Sequence, residues 1–513
     1  MSEQHPIEAA VAPGYEFTGP SLELGGLMAD ASTITGTRVR IPLAMLNRHG
    51  LVAGATGTGK TKTLQLLAEQ LSAHGVPVFA ADVKGDLSGL AVAGEDGPRI
   101  QERASSVGQE WTATAFPVEF YALGGQGTGI PLRVTMSAFG PVLLSKVLGL
   151  NQTQESSLGL IFHYADTHGL PLLDLADLRA VVHHLVSEEG KAELKELGGL
   201  SSATAGVILR ELVAFENQGA AAFFGEPEFA SEELLQTVEG RGLISLVELP
   251  ELQDRPAVFS TFLMWLLADL FNDLPEVGDT DRPKLVFFFD EAHLLFDDAS
   301  EAFLDQVAQT VRLIRSKGVG VFFVTQQPTD VPDEVLAQLG SRVQHQLRAH
   351  TPNDAKALRA TVATYPTSAY DDLGAVLTSL GIGEAVVTVM DERGAPTPVA
   401  WTMLRAPESL MGPADPAAMQ AIVEASPRHA RYAEAVDRDS ARERLAARLE
   451  EGARKAEAEQ PPATTSKGPE APAPQRWDER DLVQDVVSSP VFKDFMRTAA
   501  REIARGVFGA GRR

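Results

Sequence analysis

The chain has 513 residues, 44 of them basic and 69 acidic, for a formal net charge of −25, and it has no cysteine. Acidity on this scale argues against a general nucleic-acid coat, because phosphate contacts need positive potential, although a few Lys or Arg can still dominate the field inside a pore. The missing cysteines exclude disulfides and thiolate metal sites and fit a cytoplasmic protein, and 44 % apolar with 22 % charged residues is the balance of a soluble globular chain with a full core.

Residues 1 to about 40 are mixed and glycine-rich, which predicts short strands and loops. The first buried strand is Leu51-Val52-Ala53, and Leu64, Leu67 and Leu71 then fall at the spacing of an amphipathic helix. Between them, Gly54-Ala55-Thr56-Gly57-Thr58-Gly59-Lys60-Thr61 satisfies G-x-x-x-x-G-K-[ST], the phosphate-binding P-loop. Glycines let the backbone N–H groups close around phosphate oxygens, and the helix start adds the positive end of its dipole. Lys60 is expected to reach the β- and γ-phosphates of ATP and Thr61 to offer its hydroxyl to Mg²⁺. The other loop residues and Thr63 complete the nucleotide-binding set.

A second apolar strand, Val78-Phe79-Ala80-Ala81, ends in Asp82-Val83-Lys84-Gly85-Asp86, and Val118 to Leu123 is a third. Charges at the carboxyl end of a buried strand mark the edge where α/β sheets bind ligands. Residues 1–135 are therefore the first part of an α/β core. From 136 to 235 the pattern turns helical, with Pro141 to Leu148, Gln154 to Ala165, Leu175 to Val186 and Ala203 to Phe215, and this stretch reads as an insertion. His163, His168, His183 and His184 lie in it without any zinc-motif spacing.

The core resumes over 236–412. Gly242 to Leu249 is a strand and Phe259 to Leu274 an apolar helix. Leu285-Val286-Phe287-Phe288-Phe289 is a strand that runs into Asp290-Glu291-Ala292-His293. This run is also the best apolar one in the chain, too short for a membrane span. Asp290 has the place of a Mg²⁺-holding carboxylate and Glu291 that of the group that polarises attacking water; the two tasks need two acids. Helix Ala302 to Arg315 precedes a strand from Val319 to Val324, which ends in Thr325-Gln326-Gln327-Pro328. Gln326 can sense a γ-phosphate or orient water there. Charge developing on that phosphate calls for a cation; the candidates are Arg312, Arg315 and Arg342, with Arg315 first and Arg342 second. Arg342 to Leu347 and Glu384 to Met390 complete a mostly parallel sheet.

Beyond 412 the composition shifts. Residues 413–475 hold a charged helix, Asp437 to Glu459, and a Pro- and Thr-rich linker, Pro461 to Pro474. Residues 476–513 end in an amphipathic helix whose stripe is Phe492, Phe495, Met496, Ala499, Ile503 and Val507. It is read first as docking on the same or a neighbouring subunit or a partner, with membrane-surface or nucleic-acid contact as the alternative.

Three pieces together resemble the HerA–FtsK class of ATPases: His49-Gly50 through Thr61, Asp290-Glu291-Ala292-His293, and Val324-Thr325-Gln326-Gln327-Pro328. The likeness is closer to the bacterial YjgR-like group of HerA-related ATPases. It rests on Asp82 to Gly89, Thr153-Gln154-Glu155, Leu172-Leu173-Asp174-Leu175 ahead of Asp177-Leu178-Arg179, and Asp290 to Phe296. The resemblance implies a RecA-like P-loop core and a homo-oligomeric ring of six with ATP between neighbours. It also implies an arginine reaching across the interface, best matched by Arg315. DNA is the expected track of such a motor, and the alternative is a nucleotide-switched assembly ATPase that moves no DNA. Only about fifty residues precede the P-loop, whereas HerA carries a β-barrel there, so partner docking through a barrel is not expected.

Overall fold

The computed structural model describes residues 5–194, 198–249, 256–278, 280–296, 301–436 and 438–458. The chain divides into two units at Glu450/Glu451, and the architecture below is that of the first.

Among the described residues fourteen strands form in chain order. They are β1 (Ser21–Ala29), β2 (Ser32–Pro42), β3 (Gly50–Ala53), β4 (Val78–Asp82), β5 (Val118–Leu123), β6 (Ile130–Leu132), β7 (Thr237–Val238), β8 (Arg241–Gly242), β9 (Ile244–Glu248), β10 (Leu285–Phe289), β11 (Val319–Thr325), β12 (Ser341–Gln344), β13 (Glu384–Thr388) and β14 (Ala400–Leu404). Twelve join one sheet in the order β2-β1-β14-β13-β12-β3-β11-β10-β4-β9-β5-β6, and β7-β8 is a separate hairpin. From β12 to β6 every pairing is parallel. The other four strands, β13, β14, β1 and β2, pair antiparallel.

The parallel strands are apolar runs because helices cover both of their faces, which leaves no solvent side to alternate with. Every residue of β3, β4, β5, β9, β10 and β11 is buried. The helix Lys60–Ala73 follows β3, Pro256–Asp273 precedes β10, and Glu301–Ile314 joins β10 to β11. Parallel pairing sets the carboxyl ends of β3, β11, β10, β4 and β9 along one edge, in the registers Ala53↔Thr325, Phe323↔Phe289, Phe289↔Ala81 and Asp82↔Glu248.

Between Met136 and Asn217 most of the described residues are helical. Two of its helices begin with reciprocal caps, Asn151 with Gln154 and Asp174 with Asp177. A small lobe with its own core of Leu373, Leu377, Leu380, Val386 and Val399 stands beside β13.

Two expectations need correction. The N-terminal stretch is a long antiparallel pair of nine and eleven residues within the main sheet. Its pattern misleads because Gly25 must lie against β14, where a Cβ would meet Met403 O at 1.9 Å, and because much of β2 is exposed. The sheet also extends beyond Met390 to β14 and gains β6, a three-residue strand too short to show a period. After residue 412 the described helices are Pro416–Ala425, Pro427–Tyr432 and Ala441–Ala458, the last within the stretch expected as a charged helix, and Met419, Val423 and Tyr432 are buried. The linker Pro461 to Pro474 and the amphipathic helix of 476–513 lie outside the described residues.

Candidate nucleotide-binding site

The P-loop leaves β3 at the carboxyl edge and turns into the helix Lys60–Ala73 through Gly59, whose φ of 117° is open to glycine and strained for other residues. Gly54 anchors the other end. Its N–H donates to Thr325 O at 3.2 Å, and a Cβ there would stand 2.5 Å from His345 Cβ. His345, which is fully buried, supports the loop from beneath, with Nε2 2.8 Å from Thr63 Oγ1. Burial, joined by the charge of Lys60, pushes the His345 imidazole down to about 4, so it is neutral at ordinary pH. Thr63 thus faces inward onto His345, whereas Thr56 and Gly57 are exposed at the loop's outer side.

Lys60 is buried, and its ammonium donates to Gly54 O at 2.7 Å. Burial holds its pKa below the ordinary value, against the pull of Glu291 and Asp290. Both carboxylates follow β10, two strands from β3 across β11. Asp290 is 4 % exposed, and burial with the neighbouring Glu291 charge pushes it up to about 7. An acid held so far from its usual ionisation is one that a cation would relieve. Glu291 sits at φ 47°, an uncommon place for a non-glycine residue that costs roughly 1–3 kcal/mol. Its Oε1 accepts an ion-paired hydrogen bond from Lys84 Nζ, and its Oε2 lies 3.3 Å from His293 Nδ1 without hydrogen-bond alignment. Burial pushes Glu291 up, but Lys84 overrides it and leaves the carboxyl below its usual range.

Lys84 stands on a turn after β4 that is built by Asp82. The buried Asp82 carboxylate accepts from the N–H groups of Lys84, Gly85, Asp86 and Leu87 at 2.7–3.2 Å. Burial works against the Lys84 charge, yet Glu291 raises its pKa overall. Gln326 continues β11 and is exposed beside a cleft of about 230 Å³ that it shares with Ala55, Thr56 and Arg348. Asp330 fixes its turn by accepting from Thr325 Oγ1 at 2.6 Å and from Gln327 N–H at 2.8 Å.

The structure therefore brings Lys60, Asp290, Glu291 and Gln326 to one edge of the sheet. The two arginines do not join them within the chain. Arg315 precedes β11, so seven strand residues, roughly 20 Å, separate it from the P-loop edge. Arg342 donates to Thr364 Oγ1 at 2.7 Å and lies over the Tyr365 ring, turned toward the small lobe. Residues missed as site members are His345, Lys84 and Asp330. Lys84 and Asp330 carry a legible signal, a charge just past an apolar strand, whereas His345 shows itself only through the fold.

A nucleotide with Mg²⁺ fits these residues. A Cβ on Gly57 would meet nothing within 4 Å, so the outer side of the loop is open, and Thr61 is half-buried beside it. Among the described residues no group of three or more His, Asp or Glu can hold a metal unaided.

Several solved structures share the fold. The coupling protein TrwB in complex with ADP and Mg²⁺ matches with a TM-score of 0.52 and 16 % identity, over 78 % of this chain and 99 % of that one. Unbound TrwB lacking its first 70 residues matches at 0.50 and 16 %, over 78 % and 98 %. A comparison with curated proteins found no match. Among the described residues no helix is long and apolar enough to cross a membrane. The family described as Helicase HerA-like C-terminal matches residues 29–513, nearly the whole length, and the chain belongs to that family.

Proposed function

We propose that this protein is a Mg²⁺-dependent ATP hydrolase of the HerA–FtsK type, nearest to the YjgR-like group, working as a homo-oligomeric ring of six. The observation that carries the reading is the meeting of Lys60, Asp290, Glu291 and Gln326 at one sheet edge around the P-loop. In this reading, Lys60 and the loop amides bind the phosphates, while Thr61 and Asp290 hold the metal. Bound Mg²⁺ would offset charge on the β- and γ-phosphate oxygens. Glu291 accepts the proton of a water whose oxygen bonds to the γ-phosphorus as the bond to the β-phosphate oxygen breaks. Gln326 orients that water. Arg315, remote from its own P-loop, is assigned to the site of the next subunit, where its cation stabilises the transferring phosphoryl group.

DNA translocation is the expected use of the motor. The net charge of −25 favours the second reading, a nucleotide-switched assembly ATPase. ATP turnover by the full chain, with and without duplex or single-stranded DNA and alongside a solution mass measurement, separates the two. Stimulation that falls steeply with salt supports the motor, and rates indifferent to DNA support the assembly reading. A monomer in the presence of ATP refutes the trans role of Arg315.

A further inference from the structure

Phosphoryl transfer needs positive charge beside the γ-phosphate, and within one chain the P-loop edge holds a cation besides Lys60. Lys84 Nζ pairs with Glu291 Oε1, and its charge acts on both Lys60 and Asp290. Four backbone N–H groups on the buried Asp82 carboxylate pin the turn that carries it. The two partners differ in access: the Lys84 side chain is 39 % exposed and that of Glu291 only 7 %. Lys84 therefore reaches in from the open side and can exchange partners, whereas Glu291 is held in place.

We propose that Lys84 is the γ-phosphate sensor of its own subunit. It holds Glu291 until a terminal phosphate lies on the P-loop, then passes to a phosphate oxygen and leaves Glu291 free to take the water proton. A γ-phosphate outcompetes the carboxylate because it presents more negative charge and more acceptor oxygens. ADP offers nothing at that position, so the pair persists and Glu291 stays engaged. The inference rests on the ATPase reading and adds to it the coupling of base release to an intact triphosphate.

The test measures binding of ADP and of a non-hydrolysable ATP analogue with Mg²⁺, and ATP turnover, for the full chain and its Lys84→Ala, Lys84→Arg and Glu291→Gln variants. For Lys84→Ala the preference for triphosphate over ADP should fall about tenfold, the loss of one charge-assisted hydrogen bond, with ADP affinity within about twofold. Its kcat should fall more than about tenfold, and Lys84→Arg should restore part of the preference. Glu291→Gln removes the competing anion and should strengthen triphosphate preference. Equal weakening of both nucleotides by Lys84→Ala would mark a merely structural role and overturn the inference. Unchanged preference, or faster turnover, would also overturn it while leaving the ATPase reading intact. A wild-type protein that binds neither nucleotide would overturn both.

Discussion

Replacing Asp290 by Asn should stabilise the nucleotide-free protein, by an amount that grows with pH. Burial and the Glu291 charge raise the Asp290 carboxyl from its ordinary 3.8 to about 7. A group whose folded pKa is raised contributes stability below its unfolded pKa and loses it as pH rises through the folded value. The wild-type protein is thus progressively penalised from about pH 4 to about pH 7, with a plateau above. A shift of about three units at about 1.4 kcal/mol each sets a ceiling near 4 kcal/mol, which relaxation around the carboxylate reduces. Asn keeps an acceptor for the Glu291 N–H, bound at 2.9 Å to Asp290 Oδ1, and removes only the charge. Urea unfolding of both proteins without nucleotide or Mg²⁺, from pH 4.5 to 8.5, measures the difference. His49 and His345, both pushed down to about 4 by burial, lose stability as pH falls from about 6.5. They act in both proteins and cancel in the subtraction. A difference that is flat with pH, or an Asn variant less stable at pH 8, would refute the buried-acid account of Asp290.

His345→Ala should destabilise the protein by about 2–3 kcal/mol in chemical unfolding, since it removes a buried ring and the closer of the two hydrogen-bond partners of Thr63 Oγ1. It should also weaken nucleotide binding by loosening the floor of the P-loop; unchanged binding would show that the floor does not set the loop. Gly54→Ala should abolish nucleotide binding or folding, because its Cβ meets His345 Cβ at 2.5 Å; circular dichroism beside a binding measurement tells these apart. Arg342→Ala should alter the thermal stability of the small lobe through its Thr364 and Tyr365 contacts and leave turnover within about twofold, whereas a large loss of turnover would assign it the finger role.

Much of this fold is legible in the chain because the parallel block writes itself as uninterrupted apolar runs. Strands Leu285–Phe289 and Val118–Leu123 fall where the runs predict. The antiparallel block is harder to read, since β1 and β2 owe their place to backbone approach at Gly25 and to pairing across nearly 380 residues, with Leu27 opposite Thr402. The P-loop, Asp290, Glu291 and Gln326 are readable because each sits at a strand's carboxyl end. His345 is not, because its role depends on β12 lying in parallel against β3, a long-range fact that no local pattern encodes. Lys84 is visible in the sequence as a charge after a strand and within Asp82 to Gly89, but its pairing is not, because its partner Glu291 is 207 residues away.

The edge holding Lys60, Asp290, Glu291 and Gln326 is proposed to hydrolyse ATP. Phosphate release from Mg²⁺-ATP by the full chain, measured beside Lys60→Ala and Glu291→Gln, tests it most directly. Mg²⁺-dependent turnover is expected in the wild type and loss of binding in Lys60→Ala. For Glu291→Gln retained binding is expected, with turnover reduced by about a hundredfold or more. A wild-type protein without turnover, or a Lys60→Ala variant as active as the parent, would contradict it.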